Sequence, residues 1–88
     1  MNHYATSNFW DCYNKLPEQV QKRADKSFDL LNNNPNHPSL YLKKIKDFWS
    51  VRVGLYYRAL AVESENGKNL IWFWIGNHDD YERMIDQN

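Results

Sequence analysis

Trp49-Ser50-Val51-Arg52-Val53-Gly54-Leu55-Tyr56-Tyr57-Arg58-Ala59-Leu60-Ala61-Val62-Glu63, followed after a polar break by Leu70-Ile71-Trp72-Phe73-Trp74-Ile75, carries the pattern that decides the fold. Trp49, Val51 and Val53 alternate with Ser50 and Arg52, the period of two expected of a strand with one buried face. Gly54 marks a tight turn. Tyr57, Ala59 and Ala61 then alternate with Arg58, Leu60 and Val62. The break Glu65-Asn66-Gly67-Lys68 is a hairpin signal, since Asn-Gly adopts the positive φ angles of a type I′ turn at low cost. Residues 70–75 are apolar on both faces, which predicts a central strand covered on both sides. Three antiparallel strands in a meander follow from this reading.

Upstream the period changes. Val20, Ala24, Phe28 and Leu31 form one stripe of an amphipathic helix. Pro17 and Glu18 suit its first turn, and Asn32-Asn33-Asn34-Pro35 ends it. Phe9, Trp10 and Tyr13 predict a helical turn or short helix before it, and a short strand is expected near residues 3–7. Downstream, Gly76 to Asp80 breaks the last strand, and Tyr81 to Asp86 is expected to form a final helical turn. The expected class is α+β: N-terminal helices packed on a small antiparallel sheet, with residues 1–88 as a single domain.

At 88 residues the chain has a thin core. Four Trp, six Tyr and four Phe compensate, because each large ring buries on the order of 150–250 Å². Cys12 is the single cysteine, so no internal disulfide forms. The first residues lack a basic segment followed by an apolar run, so no signal peptide is expected. The run Leu70 to Ile75 is far too short to span a bilayer. A cytoplasmic location without membrane contact is the expectation. The formal net charge is zero, but its distribution is uneven. Residues 41–58 carry Lys43, Lys44, Lys46, Arg52 and Arg58 against Asp47 alone, whereas residues 59–88 carry six carboxylates against Lys68 and Arg83. That places a local basic footprint beside an acidic end.

Arg52 and Arg58 are the informative cations. Both stand opposite the apolar positions of their strands, so both are expected on the sheet face away from the long helix, which this reading leaves open. A guanidinium fork suits a phosphate. His78 follows the last strand, beside Asp79, Asp80 and Tyr81, and is the side chain best able to exchange a proton near neutral pH. Antiparallel pairing is expected to gather Arg52, Arg58, His78 and Tyr81, with Lys43, Lys44 and Lys46 on the flank. Such a set can cleave RNA without a metal or cofactor: the 2′-hydroxyl attacks phosphorus, an acid protonates the leaving oxygen and cations hold the developing charge. Trp72 and Trp74 read as core. His3 and His37 are isolated, and no metal-ligand spacing is present.

The order of these segments resembles the RelE/ParE toxin superfamily. Leu16 to Lys26 is similar to its long helix, and His37-Pro38-Ser39-Leu40 with Lys43-Lys44-Ile45 to its central connection. Trp49 to Gly54 with Tyr57 to Leu60 resembles its hairpin, and Trp72 to Tyr81 its closing strand. The likeness covers about residues 8–85. It implies the toxin of a type II toxin–antitoxin system with a cognate antitoxin protein as partner. RelE-like members cut mRNA on the ribosome, which implies a ribosome-dependent endoribonuclease with Arg52, Arg58, His78 and Tyr81 as catalytic set and the three lysines as RNA or ribosome contacts. ParE-like members poison DNA gyrase instead. Ser50, cationic in some nucleases of the group, and the neutral net charge keep gyrase inhibition, or a weakly active antitoxin-binding module, as alternatives.

Overall fold

The hydrophobic alternation of residues 48–77 is realised as three strands, β3 (Phe48–Val53), β4 (Tyr57–Glu63) and β5 (Asn69–Asn77), joined antiparallel as a meander. The structure, a computed structural model, describes residues 2–87; Met1 and Asn88 lie outside the described residues. Before the meander run β1 (Asn2–Ala5), α1 (Ser7–Asn14), α2 (Glu18–Asn33), a 3₁₀ turn (Pro38–Leu40) and β2 (Lys43–Ile45); α3 (His78–Asp86) closes the chain. The α+β class and its antiparallel centre are as the sequence predicts. The sheet is larger than the meander: its order is β1-β5-β4-β3-β2, and β1 lies parallel to β5. Both additions are edge strands of three or four residues, too short to show a period.

One face carries α1 and α2. Ala24 and Leu31 are buried against Val51, Val53, Ala59, Ala61, Trp72 and Ile75, with Phe9 beneath α1 and Phe28 packed against the cluster. The predicted helical stripe is therefore the core seam; Val20, near its start, is only half-buried. Pro17 is the cap rather than the first helical residue, its carbonyl accepting from Val20 and Gln21 amides.

The other face is not open. The final helix starts at His78, three residues before the expected Tyr81, because the Asn77 side chain caps it by accepting from the Asp80 amide at 2.8 Å. Tyr81 and Ile85 then cover Leu60, with Phe48, Phe73, Trp74 and Met84 around them. A β-bulge makes this second core. Leu60 pairs with Trp74 and Ala61 with Trp72, so Phe73 is the extra residue. Trp72 thus faces α1 and α2 while Trp74 faces α3, and Asn8 donates to the Phe73 carbonyl at 2.8 Å. The expectation that β5 is covered on both faces holds.

The Asn66-Gly67 hairpin forms with a longer loop than a type I′ turn allows. Gly67 alone takes a positive φ, and its amide donates to the Ser64 carbonyl at 2.9 Å. Asn66 uses its side chain instead, accepting from the Ser64 hydroxyl and the Lys68 amide. Among the described residues no helix is long and apolar enough to cross a membrane.

Candidate functional site

Strand register brings the two arginines together. Arg52 of β3 pairs directly with Arg58 of β4, and Arg58 pairs on its other side with Gly76 of β5. Cross-strand partners share a face, so both side chains leave the sheet on the α3 side, where the Arg58 guanidinium turns to Tyr81 and that of Arg52 to Tyr41. Each is braced by an aromatic ring. The Arg52 guanidinium carbon lies 4.3 Å from the Tyr41 ring centre, and that of Arg58 lies 6.0 Å from Tyr81. Arg58 Nη1 also donates to the Tyr57 carbonyl at 2.8 Å. Burial, then the charge of Arg52, pushes the Arg58 pKa below its ordinary value. Two cations held together and partly dried favour an anion between them.

His78 joins this cluster through α3. Its amide donates to the Tyr56 carbonyl at 2.7 Å, fixing the start of α3 to the β3–β4 turn. Its ring centre is 5.7 Å from that of Tyr81. Its Nε2 lies 3.2 Å from Glu82 Oε1, one helical turn on, which leaves Nδ1 for another partner. Arg58, Tyr81, His78 and Glu82 form a chain of contacts at the mouth of the meander. Tyr81 is 5 % exposed. It is a floor that holds Arg58 and His78, and its ring faces are not available to a nucleotide base.

The three lysines do different things. Lys43 pairs with Ser50 and so lies on the Arg52 face. Lys44 pairs with Trp49, whose ring belongs to the α1–α2 side, and so points away from the arginines. Lys46 donates to the Ile85 carbonyl at 2.6 Å, a cation at the C-terminal end of α3. It secures the helix over the sheet and is not free for a distant ligand.

Glu82 and Tyr41 were not singled out from sequence. Glu82 becomes visible once the helix begins at His78, since the two are then four apart. Tyr41 carries no such signal: it sits in a left-handed conformation, φ 46°, after the 3₁₀ turn. Among the described residues no group of three or more His, Cys, Asp and Glu is placed to hold a metal ion.

A family model described as a ParE-like toxin domain matches residues 18–83, from the start of α2 into α3. No curated protein matches the sequence. Among solved structures, the chain is similar to YafQ from E. coli at 11 % identity with a TM-score of 0.70, covering 91 % of this chain and 96 % of that one. It is similar to the RelB–RelE antitoxin–toxin complex from Methanococcus jannaschii at 18 % identity and TM-score 0.69, covering 92 % and 96 %. A YoeB/ParE toxin from Agrobacterium tumefaciens gives 18 % identity and TM-score 0.66 over 89 % and 99 %.

Proposed function

The chain belongs to the ParE-like toxin domain family, within the RelE/ParE superfamily of toxins, and on that footing we propose that it is a ribosome-dependent mRNA endoribonuclease held in check by a cognate antitoxin in the cytoplasm. The observation that carries this reading is the directly paired Arg52 and Arg58 beside a His78 already oriented by Glu82. A protein that only wedges into a partner needs no proton-transfer group at the edge of a cationic site.

The chemistry follows from those side chains. Arg58 and Arg52 hold the scissile phosphate. The neighbouring 2′-oxygen attacks phosphorus while the bond to the 5′-oxygen breaks, giving a 2′,3′-cyclic phosphate and a 5′-hydroxyl. His78 donates the proton that the leaving 5′-oxygen takes up. The two guanidinium groups stabilise the charge that grows on the phosphorane oxygens. Tyr81 positions Arg58 and His78 from below. The site holds no evident strong base for the 2′-hydroxyl, so the ribosome or the message completes it. Delivery by the ribosome also explains how a chain of zero formal net charge reaches a polyanion.

The antitoxin reading draws on the RelB–RelE complexes of the same fold. An acidic or amphipathic antitoxin segment fits the half-buried arginine face. The deciding experiment is cleavage of ribosome-bound message by the purified chain, read by primer extension. Cuts on ribosomes, and poor cutting of naked RNA, are expected. Absence of cuts together with a block of gyrase supercoiling would replace the nuclease reading by the gyrase one.

A further inference from the structure

On the far side of Arg52 lies a second cationic cavity of about 610 Å³, between α2, the 3₁₀ turn and the β3–β4 turn. Arg23, Lys26, Ser27 and Leu30 supply one wall, the spacing of a single stripe on a helix. Arg52 and Tyr41 supply the opposite wall. Strand β2 pairs with β3 only as far as Ser50, so on the side of β3 away from β4 no strand flanks Arg52, whose side chain lines the cavity there. Arg23 is laid across the turn: its Nη1 lies 2.9 Å from where a Cβ on Gly54 would stand. Gly54, at φ 65°, leaves the room that the guanidinium occupies.

Three cations line this cavity and no carboxylate does. Among the described residues, Arg23, Lys26 and Arg52 form no ion pair. Arg52 Nε is also buried without a hydrogen-bond partner, a donor left unsatisfied in the wall of the cavity. A concave site with unneutralised cations concentrates anions. Its mouth has another character: Tyr41 is 60 % and Leu55 63 % exposed. A tyrosine ring that rests on Arg52 and is still 60 % exposed, beside a cationic cavity, is a combination that a nucleotide satisfies, the base stacking while the phosphate is held. An acidic peptide would answer the cations and leave the ring and Leu55 without a flat partner.

We propose that this cavity is a nucleotide-binding subsite for single-stranded RNA, in which Arg23, Lys26 and Arg52 take a phosphate flanking the scissile one and Tyr41 stacks on its base. It rests on the nuclease reading only for the continuity of the strand, because Arg52 borders both sites. The cavity does no chemistry. It holds the message on one side of the cut.

The test separates the two readings. Adenosine monophosphate, which offers no bond to cut, is titrated into the full isotopically labelled chain and followed by NMR. Saturable shifts of the Arg52 Nε–H signal and of Tyr41 are expected. The Arg23→Gln/Lys26→Gln double variant, altered only at exposed helix positions, should weaken the affinity by about tenfold or more, and Lys44→Gln, on the face away from the arginines, should leave it unchanged. Inorganic phosphate should bind more weakly than the nucleotide, and adenosine should fail. On ribosomes the double variant should raise the half-saturating toxin concentration about tenfold with the maximal rate preserved. The proposal is overturned if the nucleotide causes no saturable shift there, or if the double variant binds it as the wild type does. It is equally overturned if phosphate alone binds as well, or if the double variant loses antitoxin affinity while keeping the nucleotide. Saturable nucleotide binding by a chain that cuts no ribosomal message would sustain the cavity and sink the nuclease reading.

Discussion

Arg52 and Arg58 stand directly opposite each other across β3 and β4, like charges in a register where side chains are close neighbours. The sheet tolerates this because each guanidinium rests on a ring, Tyr41 under one and Tyr81 under the other. Repulsion between them should appear as a coupling energy. In a double-mutant cycle of Arg52→Gln and Arg58→Gln, each single change already removes the repulsion. The double variant should therefore be less stable than the sum of the singles, by roughly 0.2–1 kcal/mol. Urea unfolding at low salt measures this, and added salt should shrink it. A coupling of zero or of opposite sign at low salt would mean that the arginines do not feel each other.

Anions should act on the same pair. A phosphate that binds the folded chain and not the unfolded one adds RT ln(1 + [L]/Kd), about 1.4 kcal/mol at ten times Kd. Thermal melts in phosphate against chloride at matched ionic strength should show a rise for the wild type. Arg58→Gln should lose a large part of that rise. An equal rise in both proteins would place the anion elsewhere.

His3 predicts a pH dependence of stability. Its Nδ1 accepts a hydrogen bond from the Trp72 indole at 3.1 Å, the two rings stack at 6.2 Å, and burial holds its pKa below the ordinary value of 6.5. Above 6.5 the ring is neutral in both folded and unfolded chains, and the contact contributes fully. As pH falls below that value the unfolded chain binds a proton that the folded one resists, so stability declines until the folded pKa is passed. Melts from about pH 8 to about pH 5 should show this slope in the wild type and less of it in His3→Gln. Parallel curves for the two proteins would count against the assignment.

Phe28 tests the seam between α2 and the sheet. Its ring meets Phe9 at 5.5 Å and Trp72 at 6.1 Å, both edge to face. Phe28→Ala should cost roughly 3–5 kcal/mol, a large share of the stability of a chain this size. Val20→Ala, a smaller truncation at a residue outside the packed cluster that Phe28 joins, should cost much less. Chemical unfolding checks both, and similar losses at the two positions would show that the seam is misplaced.

The parts of the fold that could be read in the sequence are those with a period. The alternation at Trp49, Val51 and Val53 and the stripe at Ala24, Phe28 and Leu31 each express one buried face, and burial dominates their energy. The edge strand β2 escaped, unlike β1, because three residues at Lys43–Ile45 show no period and owe their pairing to β3 alone. The start of α3 escaped because it depends on a cap. Asn77 looks like a strand breaker in sequence, yet its side chain starts the helix and so brings Glu82 to His78. The same helix closes a face that the alternation of Arg52 and Arg58 had suggested was open. Arg52 and Arg58 were legible as a pair because register follows from the hairpin. Lys44 and Lys46 looked like a basic patch with Lys43, but strand alternation sends Lys44 to the other face and the helix end claims Lys46.

His78 carries the sharpest prediction, since it alone in the cluster can pass a proton near neutral pH. Nε2 is held by Glu82 at 3.2 Å, so the ring is oriented before substrate arrives and Nδ1 is the nitrogen left to face the leaving oxygen. Removing the proton donor should lower the single-turnover cleavage rate on ribosomes by about 10²–10⁴-fold for His78→Gln, the usual contribution of a general acid. Glutamine keeps polar contacts at the helix start, so the thermal midpoint and antitoxin binding should be preserved. Glu82→Gln should cost less, roughly tenfold, because the amide oxygen still accepts from Nε2 while the charge that stabilises the imidazolium is gone. Arg58→Ala should match the His78 loss through the phosphorane charge. The ordering of the three variants is the test. Wild-type rates in His78→Gln would remove the acid from the mechanism, and a greater loss in Glu82→Gln than in His78→Gln would make the carboxylate the proton-transfer group.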